Sequence, residues 1–536
     1  MVISLLVVLR SKTRMLGGCM LMLGVSVGLG LPVTAQQVPP DDQSAFEPHG
    51  LSYKQVTRKI FEREHKTLAE LQGLQLVTET YIQSLQNRQH DGLDTTTDIN
   101  AEGATDDAYF LGQVNLIHLE DDQPIENLLY GKDWEDRYIK IRGGLYDKLV
   151  PLGNLMMFFV DLFSFDADTY TLTYSGEENV GGVQCMRFSV TPNDHRASGR
   201  FSGTIWVEPS AFQIIRIEGK FIGPFGYRKL RNDRYFHFDS WRERTEDGRW
   251  MPTFTCFDER RTFREDGNLD FHYRGLSFLW PARTRSQQLA IGNSAIDKGA
   301  DEPEGIEERD LVARLQNDGL LAAPGTVEKK LDGIVDEITN AAGIGKSIHC
   351  RVLLTTPLEA MAMGHTIIVS RGLLNVVPDD AVLALVLARQ IARVELDFLG
   401  HPSQDLRRSI FDSPDKHDFG GFGIRDDVET RRAADSRARF LLSGTRYASA
   451  TSQSDAFLAR LYGQSHRFKN LVRPRFGRPI VQEETSGKVP GYVGRLHLDD
   501  NYTLSWDGTI KQKSITNATT DDLRAKQLLG RPPVGQ

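Results

Sequence analysis

The feature that most restricts the fold is a change of hydrophobic period along the chain. Between about Asp107 and Leu279 apolar side chains alternate in short runs, among them Tyr170–Tyr174, Met186–Val190, Gly203–Val207, Ile214–Gly219, Tyr235–Phe238 and Phe271–Tyr273. Turn-forming residues such as Ser175-Gly176 and Glu265-Asp266-Gly267 separate them. An alternation of two puts every second side chain on one face of a strand, so successive runs joined by turns predict a curved antiparallel sheet.

On either side of this region the spacing is helical. Ile60, Phe61, Leu68, Leu71, Leu74, Leu76, Val77, Tyr81 and Leu85 recur with Lys, Arg and Glu between them, predicting one long amphipathic helix or two shorter ones from Tyr53 to about Leu85. Such a helix needs a surface to cover, and the following sheet supplies one. Gln86 to Asp107 is polar and reads as a loop, and Ser286 to Asp310, rich in Gly, Asp and Glu, reads as a linker.

Beyond the linker, Leu331, Ile334, Val335 and Ile338 stripe a helix from Val327 to Thr339. Strands follow near Cys350–Leu354 and Thr366–Ser370, then an apolar run from Ala381 to Leu399 and a helix from Val428 to Leu442 ending at Gly444. The chain is rich in Pro, Gly and Lys from about Asn470. The fold class expected is therefore α+β: an N-terminal helix and loop over 36–106, an antiparallel β domain over 107–285, a linker over 286–310, a mostly helical domain over 311–470, and an irregular tail over 471–536.

Residues 1–35 read as a signal peptide. Arg10, Lys12 and Arg14 precede the apolar stretch Met15–Leu31, and Val33-Thr34-Ala35 offers the small residues a signal peptidase needs, which predicts export to a periplasm or the extracellular space. The alternative is a retained anchor. Leu16-Gly17-Gly18-Cys19 follows a basic cluster instead of an apolar stretch, so it is not read as a lipidation site. After cleavage no run of about twenty apolar residues is left, so no transmembrane span is expected.

The chain of 536 residues carries a formal net charge of -8, and cleavage removes three basic residues, so nucleic acid is not an expected partner. Cys185, Cys256 and Cys350 remain in the mature chain without CxxC spacing. Either Cys185 pairs with Cys256 or both are buried free thiols.

The strands containing Gly203–Glu208 and Ile215–Gly219, followed by Trp250-Met251-Pro252, resemble the LolA-like lipoprotein-carrier fold, an unclosed half-barrel around a helix. That resemblance implies lipid or lipoprotein binding on the concave face. Trp206, Phe221, Phe225, Tyr235, Phe236 and Trp241 are then either cavity lining or ordinary core.

A second resemblance lies in the C-terminal half. Leu358–Leu374, Asp379–Ala388 and Ala434-Asp435 follow one another in the order found in metallopeptidase family forty-eight, the HtpX-like group that includes the CAAX prenyl endopeptidases. It implies a gluzincin-like domain whose zinc is held by HExxH on one helix and a glutamate four residues before the Ala-Asp aspartate. Here those positions are Arg389, Gln390 and Arg393, then Arg431. Zinc needs two neutral imidazoles a helical turn apart and a base for its water, so no zinc and no catalytic residue are expected.

Glu429 lies two positions from Arg431 and is rotated by about 200° around the helix, so it cannot stand in. His349, His365, His401 and His417 lack i, i+3 or i, i+4 partners. Arg389, Arg393 and Arg431 are left either as an anion-binding cluster or as members of a salt-bridge network with Glu395, Asp397 or Asp435. The expected function is an exported, non-catalytic homologue of an HtpX-like peptidase acting as an envelope binding or scaffold protein. Two alternatives stand beside it: a lipid or lipoprotein carrier working through the half-barrel, and a zinc metalloendopeptidase with an unforeseen metal site.

Overall fold

The computed structural model describes residues 50–86, 103–116, 155–194, 200–222, 237–263, 269–281, 303–396, 428–480, 495–498 and 504–507, less 73, 75, 115, 163, 246–247, 464–467, 473, 475 and 477. Residues 1–35, expected to be a signal peptide, and Phe225, Tyr235, Phe236, Asp397, His401 and His417 lie outside the described residues. Helix α1 spans Tyr53–Gln72. Nine strands follow: β1 Leu76–Gln86, β2 Gly103–Val114, β3 Tyr170–Val180, β4 Val183–Pro192, β5 Arg200–Glu208, β6 Gln213–Ile222, β7 Phe238–Arg244, β8 Trp250–Phe263 and β9 Leu269–Pro281. They form one sheet in the order β2-β1-β9-β8-β7-β6-β5-β4-β3, with every pairing antiparallel.

The helical reading fails at its C-terminal end. Residues 76–86 are strand β1, because Val77, Thr78, Thr80 and Ile82 are β-branched and stiff in a form that suits a pleated surface. The expected loop is likewise strand from Gly103, so the sheet begins well before residue 107.

One face of the sheet packs on α1. Val56, Ile60, Phe61, Leu68 and Leu71 join Phe188, Phe201, Ile205, Ile217, Phe221, Phe238 and Phe257 in a single apolar cluster. The opposite face, with Tyr81, Cys185, Trp206, Trp241 and Cys256, belongs to a core continuous with the C-terminal half. Trp206 and Trp241 therefore do not share a cavity with Phe221, because strand alternation places them on the other face.

Cys185 and Cys256 are free, buried thiols. Strands β5, β6 and β7 lie between theirs. Four strand spacings are about 19 Å, well beyond the reach of a disulfide at about 7 Å.

The C-terminal half comprises α2 Pro303–Asn317, α3 Thr326–Ala342, β10 His349–Leu353, β11 Glu359–Met363, β12 Thr366–Ser370, α4 Arg371–Val376, α5 Asp380–Glu395, α6 Val428–Leu442, α7 Thr451–Gly463, α8 Lys469–Val472 and β13 Arg478–Pro479. A hairpin of β14 Arg495–Leu498 and β15 Leu504–Asp507 follows. Helix α2 starts inside the expected linker, with Pro303 at its first position where no N–H is required. Helix α7 and strand β11 add to the elements read from the sequence. The half is less purely helical than expected, since β10-β12-β11-β13 form a four-stranded sheet.

Helix α5 is buried from Val382 to Val394 and is capped by Asp379, whose carboxylate accepts from the Ala381 and Val382 N–H groups at 3.0 Å each. A helix apolar nearly all round belongs at the centre of its domain. Gly372 is obligatory at the start of α4, because a Cβ there would lie 1.7 Å from the Thr356 carbonyl oxygen.

The two halves meet across buried polar contacts. The Glu79 carboxylate on β1 pairs with Arg371 of α4 and accepts the Thr356 N–H at 2.5 Å, while the Arg371 guanidinium lies 3.9 Å from the Phe278 ring centre. On β2, Asp107 accepts from the Asn470 and Leu471 N–H groups at 3.0 and 2.8 Å. Val77 and Leu111 join Leu311, Leu315, Met361 and Phe476 in a third apolar cluster between them.

Candidate functional site

The inner face of the large sheet is the first candidate. Phe201, Phe221 and Phe238 pack with ring centres 5.3 to 6.0 Å apart, Phe221 stacked on Phe238 and Phe201 edge-on or tilted to both, beside Met186, Phe188, Met251 and Phe257. Two elements cover them: α1 and the segment 155–165, in which Leu155, Met156, Met157, Phe158, Phe159, Val160 and Phe165 are all buried. Phe61 of α1 meets Phe165 edge-on at 4.8 Å.

Each covering element is fastened by buried charge. The Asp161 carboxylate accepts from the Tyr170 hydroxyl and from Arg200 Nη1, both at 2.7 Å, and Tyr170 in turn accepts the Phe201 N–H. Burial, reinforced by the Asp161 charge, pushes the Tyr170 phenol above its ordinary range, so it stays a donor. Glu64 of α1 receives both ends of the Arg242 guanidinium, at 2.7 and 2.5 Å, with both side chains 1% exposed. Gln213 links the same region, donating to the Trp250 carbonyl at 2.9 Å and accepting from Arg63 at 3.2 Å.

None of Asp161, Glu64, Arg242 or Gln213 was read as a site residue from the sequence. Glu64 had a signal: it falls on the stripe defined by Phe61 and Leu68, where a carboxylate requires a partner.

The second candidate is the surrounding of α5. Arg389, Gln390 and Arg393 are all buried. Arg389 Nε lies 2.8 Å from Asp435 of α6, its Nη2 lies 3.6 Å from Asp455 of α7, and its Nη1 donates to the Ile480 carbonyl at 3.4 Å. Arg393 donates to the Gln390 amide oxygen at 3.2 Å, and Asp455 also pairs with Arg439. Glu395, a candidate counter-charge, pairs with Arg437 instead.

Arg431 sits half-buried on α6, one turn before Asp435. These residues do not fit a zinc ion: three are guanidinium bearers, and the Gln390 oxygen is taken by Arg393. Among the described residues no three side chains of His, Cys, Asp or Glu converge as metal donors. His365 stands exposed at the turn before β12, 3.8 Å from Glu308, and His349 contacts Ser347.

Two pKa shifts follow from burial. Asp107 is pushed up to about 6 by desolvation, against the hydrogen bonds from Asn470 and Leu471. The Cys185 thiol is pushed up to about 12 by burial, which leaves it unreactive.

No protein-family model matches the chain, and no curated protein matches it. Among solved structures it is similar to a DUF1329 family protein from Desulfovibrio piger, with 14% identity, 42% of this chain and 91% of that chain covered, and a TM-score of 0.18. It is also similar to a putative outer membrane lipoprotein-sorting protein domain from Vibrio parahaemolyticus (13% identity, 46% of this chain and 96% of that chain, TM-score 0.19). A third likeness is to the MucA/MucB complex structure from Pseudomonas aeruginosa (10% identity, 42% and 99%, TM-score 0.12). At these scores the architecture is assigned from strand order and register, not from the likenesses. No helix among the described residues is long and apolar enough to cross a membrane.

Proposed function

We propose that the protein is an exported, non-catalytic carrier that binds an acyl chain of a lipid or lipoprotein on the inner face of its large sheet, with the C-terminal half as an accessory domain. The supporting observation is the way that face is covered. Its Phe and Met side chains are overlaid by 155–165, a Met- and Phe-rich segment that the Asp161 latch fixes on its polar side. Methionine and phenylalanine repack around irregular apolar guests, so an acyl chain takes the place of these side chains without exposing the sheet. Native mass spectrometry of the purified protein tests the reading. A co-purifying mass of acyl size, released by organic solvent, is the expected result; ligand-free protein from an acyl-rich envelope preparation refutes it.

A second reading, an envelope scaffold built on a retired HtpX-like domain, is favoured by one observation. Arg389 and Arg393 hold the i, i+4 face of α5, and Arg389 pairs with Asp435 of the Ala-Asp pair. The protein then binds its partner without hydrolysing it.

A further inference from the structure

A line of hydroxyls crosses the inner face of the large sheet. Ser240 of β7 is opposite Thr255 of β8, Thr255 is opposite Ser277 of β9, and Ser277 is opposite Thr80 of β1. Phe238, Phe257, Leu279 and Ile82 each lie two residues from the member of the line on their own strand, and all belong to the apolar cluster under α1. Alternation therefore puts the hydroxyls on that same face. All are buried, Thr255 and Ser277 completely. On β6 the line ends at Ile217, opposite Ser240.

Strand pairing satisfies backbone groups and leaves each hydroxyl to find its own partner. Thr80 and Ser277 share a hydrogen bond of 2.8 Å, and Ser240 donates to the Phe254 carbonyl at 3.4 Å. Thr255 Oγ1 is buried with no partner among the described residues. Arg242 follows Ser240 by two residues on β7, past a register shift after Trp241, and its pairing with Glu64 of α1 turns it to the inner face. That pair uses both Nη atoms, and the buried Nε has no partner among the described residues. Two unmet donors thus stand on one face of the β7–β8 pair.

Their chemistry selects a guest. Nε can only donate and the Thr255 hydroxyl is free to do so, so a bare hydrocarbon laid over them leaves both unmet, whereas a guest that brings acceptor oxygens removes that cost. Glu64 already balances the charge of Arg242. A carboxylate or phosphate would add an uncompensated negative charge to a desolvated face, and a neutral carbonyl oxygen would not.

We infer that Thr255 and Arg242 form a carbonyl-reading subsite on the inner face, which selects neutral acyl esters over hydrocarbon chains of the same length. Thr255 donates its hydroxyl hydrogen and Arg242 its Nε hydrogen to ester carbonyl oxygens, while the Glu64 pair keeps the guanidinium in place. The inference rests on the acyl-carrier reading and adds to it the residues that set ligand specificity.

The test uses the full chain loaded with a polarity-sensitive fluorescent fatty acid, displaced by dioctanoylglycerol or by its diether analogue dioctylglycerol, which lacks the carbonyl oxygens. The readout is the ratio of the two affinities, compared between the parent and Thr255→Val, so that the different water solubilities of the two lipids cancel. Replacing a hydroxyl by a methyl of similar shape is expected to lower the ester preference about tenfold. Thr255→Ser, which keeps the hydroxyl, is expected to retain the parent's ratio. Because the hydroxyl has no partner in the empty protein, T255V is also expected to have a urea midpoint no lower than the parent's. The same ratio in parent and T255V, loss of the preference in T255S, or a lowered midpoint in T255V each overturns the inference while leaving the carrier reading standing. Binding of neither lipid and no saturable binding of the probe overturns both. If T255V fails to fold, Thr255→Ala carries the same comparison, and an unchanged ratio in T255A overturns the subsite.

Discussion

Glu79 and Arg371 form an ion pair that joins the two halves of the molecule from fully desolvated positions: the Glu79 side chain is 0% exposed and that of Arg371 5%. Glu79 comes from the strand after α1 and Arg371 from the first residue of α4, so neither half completes its own charge balance. Removing one member of such a pair leaves an uncompensated charge, at a cost of about 3–5 kcal/mol. Arg371→Ala is expected to lower the unfolding free energy by that amount and to shift both halves together in a urea titration. Separate transitions, or a loss under about 1 kcal/mol, would show that the pair does not couple them.

The Asp107 carboxyl, pushed up to about 6 by burial, binds a proton in the folded state at pH values where the unfolded chain has released it. Its contribution is present in full below its unfolded value and is lost as pH rises toward and through 6. Two units correspond to about 3 kcal/mol at about 1.4 kcal/mol each. The stability difference between the parent and Asp107→Asn is expected to be larger at pH 4 than at pH 7, measured by denaturant titration at each pH. A difference independent of pH contradicts the shift.

Arg389 is held by Asp435 and Asp455, whose side chains are 19% and 20% exposed. Water reaches both carboxylates, so Arg389→Ala is expected to destabilise the protein by about 1–3 kcal/mol, not by the larger cost of a sealed ion pair. A phosphate or carboxylate titration followed by calorimetry is expected to show no anion site that this substitution removes, because the guanidinium already has two acidic neighbours. Loss of a measurable anion site in R389A would favour the anion-binding alternative.

If α5 and α6 keep a peptidase frame, the quadruple variant R389H/Q390E/R393H/R431E is expected to bind about one zinc per chain, since it restores two imidazoles at i, i+4 and a carboxylate on the neighbouring helix. Metal analysis after dialysis reads the outcome. Absence of zinc from a folded variant would remove the support for the second functional reading.

The legible parts of the fold were those with local signals. The stripe Ile60, Phe61, Leu68 and Leu71 marks α1, and alternation marks β3 to β6. Residues 76–86 carry an ambiguous signal, because Leu76, Val77, Tyr81 and Leu85 satisfy a helical stripe as well as a strand. Strand β2 was hidden by Asp106 and Asp107, and the reason Asp107 is tolerated there, Asn470, lies 363 residues further on. The sites were less legible still. Arg389 and its partner Asp435 are legible in the sequence, but Asp455 and the Ile480 carbonyl are supplied by distant segments. The inward Glu64–Arg242 pair spans 178 residues and leaves no joint pattern in either local stretch.

The most direct test of acyl binding on the inner face is a titration of the full chain with a polarity-sensitive fluorescent fatty acid, competed with a diacylated lipopeptide and with the same peptide after deacylation. Saturable binding at about one site per chain, displaced by the diacylated peptide and not by the deacylated one, is expected. No saturable binding, or equal displacement by both peptides, would contradict it.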